Sequence, residues 1–212
     1  MLDSPLYFKL ILDGLWITTQ VTLLGCVVAL VAAFAAGLAK LSPWRALRWL
    51  AIGYAEFFRG SSALIQLFWA YYVLPFFGVV LDPMSVGILI LGLNVGAYAS
   101  EVVRGAILAV PRDQREAAVA LNLTPWQRLR YVILPQALVI MLPSFGNNVV
   151  ELLKLTSIVS LITINELTFQ AQAIRSATGD TLLPYVTILV LYFLLALALT
   201  APVRWLERRL SH

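Results

Sequence analysis

Reactive and ionisable chemistry is scarce in this chain. Its one cysteine, Cys26, sits in an apolar run with no second thiol, which excludes an internal disulfide. Its one histidine is the terminal residue, His212, so neither a metal-ligand cluster nor an imidazole base can be assembled within the apolar segments. There is no Gly-x-x-x-x-Gly-Lys-Ser/Thr loop to cradle a nucleotide phosphate, and no Gly-x-Ser-x-Gly elbow. Charge is scarce too. Of 212 residues 12% are charged and 61% hydrophobic, and mean hydropathy is +0.88. A soluble fold built from such a chain would lack the polar surface to cover itself, so the composition indicates one compact membrane domain. The net charge of +4 does not mark a nucleic-acid face, because the basic residues fall between and beside apolar runs.

A spanning helix needs about 20 mostly apolar residues, and about five such helices are expected. The first is 14–39. Ala33-Phe34-Ala35 resembles a small-residue cleavage site, but Asp3, Lys9 and Asp13 make no basic leader region and the apolar run is too long for a signal, so a retained helix is expected. The second lies within 50–81 and carries Glu56 and Arg59; the third follows Pro83 to about Leu108. The fourth covers 136–161, with an interruption expected at Pro143 and Gly146, and the fifth is 182–203. Lys40, Arg45 and Arg48 follow the first helix; Arg112, Arg115, Arg128 and Arg130 follow the third; Arg204, Arg208 and Arg209 follow the fifth. Lys and Arg collect in cytoplasmic loops, which puts the N-terminus outside and the C-terminus in the cytoplasm. Trp44, Trp49, Trp126 and Trp205 fall near the expected helix ends, where indole rings favour the interface.

The cytoplasmic segment 110–134 reads as two short helices. Pro111 suits a helix start, Glu116, Ala117, Ala118 and Ala120 favour a helix, and Asn122 can close it in the left-handed conformation. Thr124-Pro125-Trp126-Gln127 is a capping box that opens the second. On shape alone, such a pair is either a docking element or an amphipathic element resting on lipid.

Glu116-Ala117-Ala118, then Asn122, then Val132-Ile133-Leu134-Pro135 closely resembles the EAA motif of ABC importer permeases, with Asn122 where glycine is usual and Val132 where isoleucine is usual. Tyr54 through Gly60, Gln66-Leu67-Phe68, Gly96-Ala97-Tyr98, Glu101 through Gly105, Leu134 through Ala137 and Leu152 through Ser157 resemble the polar amino acid permeases of the histidine and glutamine uptake type. Where that family often has Thr-Pro after Arg-Gly, this chain has Ser61 and Ser62, and the stretch through Gln66 is similar to ectoine and hydroxyectoine permeases. The resemblance covers nearly the whole chain. It implies an all-α, MetI-like membrane domain over 1–212 that is a bacterial inner-membrane transport subunit and not an enzyme. It implies amino acids or similar zwitterions as cargo. The implied partners are a second permease subunit (identical or related), two ATPase subunits that bind ATP and Mg, and an extracytoplasmic solute-binding protein. This chain itself is expected to bind no cofactor. The competing class is an ion-gradient-driven secondary transporter, which would account for charges in the spans but not for the EAA loop.

Candidate site residues follow. Arg115, Glu116, Ala117, Ala118, Asn122, Leu134 and Pro135 are those the resemblance assigns to ATPase coupling, with Arg112 and Arg115 expected to meet acidic groups. Glu56–Arg59, Glu101–Arg104 and Glu151–Lys154 are acid–base pairs at a spacing that shares a helix face. The first two fall near the expected cytoplasmic ends and read as interface pairs. Glu151 and Lys154 fall about 15 to 18 residues after Gln136, roughly 22–27 Å along a helix and well into the bilayer core. With Asn147 they form a stripe that is either a substrate path or a polar seam between subunits. Asn94, Tyr98 and Glu101 form a second stripe, either path or interhelical hydrogen-bond glue.

Overall fold

A computed structural model describes residues 5–210. The described residues form helices and no strands. The helices are α1 (Pro5–Ala39), α2 (Arg45–Gly60), α3 (Ala63–Phe77), α4 (Pro83–Ala109), α5 (Arg112–Ala120), α6 (Pro125–Ile162), α7 (Leu167–Thr178) and α8 (Leu182–Leu210). Four of them, α1, α4, α6 and α8, are long and apolar enough to cross a membrane, and α3 is a shorter apolar helix. His212 and Asp3 lie outside the described residues.

Close packing of α1 on α4 makes the centre of the fold. Gly92, Gly96 and Ser100 recur every fourth residue on α4 and leave a flat stripe. A Cβ at Gly92 would sit 2.6 Å from Val28 Cβ, and one at Gly96 would sit 2.8 Å from Ala32 Cβ. The same contact continues at Gly37, whose Cβ would be 2.7 Å from Val103 Cβ. Backbones approach this closely only where side chains are absent. Val21, Leu67, Leu91 and Val159 fill one end of the core, and Ala33, Val103, Ala137 and Met141 the other.

The second expected span is not one helix. It breaks at Ser61 and Ser62, both extended, with ψ of 155° and 131°. A break within a membrane strands carbonyls that water cannot reach. Here the Gln66 amide nitrogen donates to Phe58 O (3.0 Å) and Ser61 O (3.2 Å), and the Asn94 amide nitrogen donates to Phe58 O (3.0 Å). Asn94 also donates to Gln66 Oε1 at 3.0 Å, which locks both amides in one orientation.

The fourth span departs from expectation in the opposite sense. Its helix runs from Pro125 to Ile162 through both Pro143 and Gly146, so the expected interruption is absent. Gly146 is there for proximity: a Cβ would meet Val203 Cγ1 of α8 at 3.3 Å. The distortion lies earlier, over Arg128–Ile133, where the helix widens to a π turn and Leu134 N–H bonds to Leu129 O. Pro135 supplies the reason. Its ring would clash with the carbonyl one α-turn back, and the wider turn relieves that clash. The second short helix of the loop is therefore the start of the span itself.

Helix α7 is an element the hydropathy pattern does not reveal. Glu166 caps it, accepting from Phe169 N–H at 3.0 Å, and Gly179 ends it with φ of 73°. Glu166 is fully buried and accepts a 2.6 Å hydrogen bond from Tyr192 of α8. Burial pushes its carboxyl above the usual carboxylate range despite these donors. Nearby Thr163 holds φ of 66°, a costly conformation for a β-branched residue.

The α1–α4 contact generates a prediction. Gly92→Val is expected to destabilise the purified protein by about 1–3 kcal/mol, as overpacking does. Gly53, whose added Cβ would meet nothing within 4 Å, should accept alanine with no loss. Thermal unfolding followed by tryptophan fluorescence separates them, and equal midpoints for the two variants would refute the close-contact account.

Candidate functional site

The break between α2 and α3 opens one wall of a cavity of about 490 Å³. Ser61 and Ser62 line it from the break, Asn94 and Tyr98 from α4, and Asn147, Asn148 and Glu151 from α6. Four sequence-selected residues thus meet in one place: Asn94, Tyr98, Asn147 and Glu151. Lys154 does not join them. The wall follows the side of α6 that carries Asn147, Asn148, Glu151 and Leu155, and Leu155 closes it. Lys154 is exposed and makes no ion pair with Glu151, so the expected pairing is corrected: at i,i+3 the two side chains share a face but diverge. The side-chain nitrogen of Asn148 is buried without a hydrogen-bond partner.

Asn94 takes a different part from the one its stripe suggests. One of its donor contacts holds the Phe58 carbonyl at the break and the other orients Gln66, so it builds the wall of the cavity. Gln66, which sequence reasoning used only as a family marker, is the second half of that device. A buried amide in an otherwise apolar helix, within a few residues of a Gly-Ser-Ser, was the available signal.

Beside the cavity the two interface pairs merge into one cluster. Glu101 is its hub. It accepts from Lys40 Nζ at 2.8 Å and Arg104 Nε at 3.1 Å, and Arg59 lies 3.7 Å away. Arg59 also reaches Glu56 at 3.7 Å. Lys40 reads in the sequence as a loop cation, but it is buried, and Ser100 Oγ takes a second bond from it at 2.7 Å. A buried ammonium is tolerable only when paired this way. Tyr98 ties the cluster to the cavity: its hydroxyl donates to Arg59 O at 3.4 Å, and the Arg59 guanidinium lies 5.7 Å from its ring centroid.

At the far end of α4 stands the loop 110–134. Asn122 adopts the left-handed conformation with φ of 56°. Asn122 N–H bonds to Val119 O at 2.8 Å and Leu123 N–H to Ala118 O at 3.1 Å, the paired bonds of a Schellman close. The capping box at Thr124 forms as the sequence predicts, with Gln127 reaching back at 2.9 Å. Glu116 and Ala117 are exposed and Ala118 is buried. Leu134 is half-buried and Pro135 exposed at the π turn. Two arginines are engaged within the chain: Arg112 meets an acidic group, Glu116, at 2.9 Å, and Arg115 turns inward to donate to Ile107 O. Around Glu116, Val119, Leu121 and Trp126 present exposed apolar surface.

The profile of a family described as the binding-protein-dependent transport system inner membrane component matches residues 25–212. This chain belongs to that family. Among similar proteins, the probable amino-acid ABC transporter permease y4tF of Sinorhizobium fredii is 44% identical over 200 residues, covering 92% of this chain and 84% of that protein. The L-cystine permease TcyB of Bacillus subtilis is 36% identical and covers 97% and 88%. The glutamine permease GlnP of Escherichia coli is 34% identical and covers 95% and 93%. A crystal structure of an amino acid ABC transporter with histidines superposes with a TM-score of 0.88 at 35% identity, covering 96% and 95% of the two chains. The MetNI methionine ABC transporter, inward facing, gives 0.85 at 20% identity over 99% and 100%, a likeness of fold. As an inner membrane component, the chain is a multi-pass, MetI-like transport subunit whose system depends on a separate binding protein, and it is not an enzyme.

The charge cluster separates two substitutions. Lys40→Met removes one of three cations around Glu101 and should leave a folded protein. Glu101→Gln strands a buried ammonium and is expected to cost about 3–5 kcal/mol, the range for breaking a buried pair from one side. Yield of monodisperse protein after detergent extraction reports the difference, and Glu101→Gln extracting as well as Lys40→Met would contradict the hub assignment.

Proposed function

We propose that this chain forms the translocation path for amino acids in a binding-protein-dependent ABC importer, with the cavity at the α2–α3 break as that path. The observation that carries the reading is convergence: a broken span, a polar wall and an unpaired Glu151 meet in one half-open cavity. Backbone irregularity at membrane depth is tolerated where it lines such a cavity, and carboxylates inside spans mark pathways. The amino-acid permeases among its relatives support the substrate class.

The loop 110–134 is the docking element for one of the two ATPase subunits, which bind the ATP and Mg. Glu116, Ala117 and the apolar residues Val119, Leu121 and Trp126 form the surface presented to it. Arg115 anchors the loop to the end of α4, Ala118 and Asn122 shape its first helix, and Leu134 and Pro135 set the π turn beneath it. Lys154 faces away from the cavity, toward a second permease subunit, identical or related. The arginine distribution supports a topology with the N-terminus outside and the C-terminus in the cytoplasm.

Two experiments test this. An impermeant thiol reagent should fail to reach Asp113→Cys in intact cells, in a Cys26→Ser background; ready modification would reverse the topology. Glu116→Lys should lower ATPase co-purification severalfold and leave the permease folded, because the exposed Arg112–Glu116 pair it breaks is worth only about 0–1 kcal/mol. Normal co-purification with intact uptake would count against docking at Glu116.

A further inference from the structure

The loop 110–134 meets the ends of α1 and α4 over two adjoining cavities of about 500 Å³ each. The first is basic. Arg112 and Arg115 of α5 and Arg128 of α6 line it, with Glu116 as the carboxylate among them. Arg112 pairs with Glu116, and Arg115 gives one terminal guanidinium nitrogen to Ile107 O. The Nε atoms of Arg115 and Arg128 are both buried, and neither has a hydrogen-bond partner among the described residues. A buried donor on a charged group is costly to leave unpaired. Three permanently charged guanidiniums facing one carboxylate also leave positive charge uncompensated. Both features call for an anion with several acceptor oxygens.

The second cavity is mostly apolar. Leu38, Leu41, Ile107, Trp126 and Leu129 line it, and Leu108 and Arg115 line both cavities and so join them. Their depth follows from α4. Its 27 residues make a rod about 40 Å long, the thickness of a bilayer with its headgroups. The end of α4 at Ala109 therefore lies at headgroup level, and the two cavities lie there with it. A carboxylate from a partner protein would fill the basic half alone. A phosphodiester that carries acyl chains fills both halves. Its oxygens match the planar donor fork of arginine, and its chain covers the leucines and the indole.

We propose that these joined cavities bind one anionic phospholipid from the leaflet on the loop's side, its phosphate at Arg115 and Arg128 and an acyl chain along Leu38, Leu41 and Ile107. Basic pockets at the membrane edge of a helical bundle hold anionic headgroups in this way. The bound lipid pins the loop to the ends of two spans. The site is separate from the cavity at the α2–α3 break, and it stands whether or not that cavity is the substrate path.

The test uses the permease–ATPase complex in neutral detergent, titrated with phosphatidylglycerol or phosphatidylcholine and read by native mass spectrometry. One phosphatidylglycerol should bind per copy of this chain, at least about tenfold more tightly than phosphatidylcholine. Arg128→Gln should weaken phosphatidylglycerol about tenfold, while Arg130→Gln, an exposed position that lines neither cavity, should stay within about twofold. A large excess of sn-glycerol 3-phosphate, which has the phosphate without the chains, should not displace the lipid. Equal binding of the two lipids by the unsubstituted complex would overturn the proposal, as would unchanged binding in Arg128→Gln. Displacement by glycerol phosphate would reduce the site to one for free phosphate and overturn it too. Loss of the ATPase from Arg128→Gln with phosphatidylglycerol binding unchanged would assign the arginines to a carboxylate of that subunit instead.

Discussion

Two amides decide the architecture. Gln66 and Asn94 hydrogen-bond the carbonyls of Phe58 and Ser61, and without them the backbone could not leave its helix between Gly60 and Ala63. In a bilayer each unsatisfied carbonyl costs several kcal/mol, on the order of the whole stability of a small domain when two or three are left unpaired. With them the break is stable, α3 is offset from α2, and the space between the break, α4 and α6 stays open. Cavity, wall and site all follow from that local solution.

The α1–α4 contact gives the break something rigid to lean on. Asn94 lies between Gly92 and Gly96 in sequence, on the face of α4 opposite the stripe that packs against α1. Its side chain is therefore held on a helix that cannot slide. About two helical turns further along α4, Glu101 gathers Lys40 from just past the end of α1 and Arg59 from α2. The same helix thus ties down both sides of the break, once by amides and once by charge. Its far end is gripped by Arg115 of the loop 110–134. A displacement of that loop and a displacement of the cavity wall share one rigid rod, which is the mechanical link that the proposed docking at the loop requires.

Much of this was legible in the sequence, and the reasons for the rest are physical. Helix capping is local chemistry, so Asn122 and the Thr124 box could be read residue by residue. The α4 span could be read because it is predominantly apolar between Pro83 and the loop, its charges Glu101 and Arg104 falling only towards the loop end. Proline misled at Pro143, where packing keeps the helix intact, and a break appeared where serines allow it and distant amides repair it. That repair depends on Asn94, which is remote in sequence from Ser61, and periodicity carries no information about it. Lys40 misled for the same reason: its partner Glu101 lies on another helix, so a buried ammonium looked like a loop charge. The EAA spacing, by contrast, is a short-range pattern, and the family match agrees with it.

The central claim is that the α2–α3 break lines the route of the substrate. It can be tested with a single cysteine at Ser62, an exposed position in the break, in a Cys26→Ser background. The assembled transporter is treated with a small cationic thiosulfonate reagent during ATP-driven uptake, with Gly53→Cys on the outer face of α2 as the control. The expected result is modification of Ser62→Cys with loss of uptake, and modification of Gly53→Cys without loss. Full uptake after complete modification at Ser62 would contradict the account.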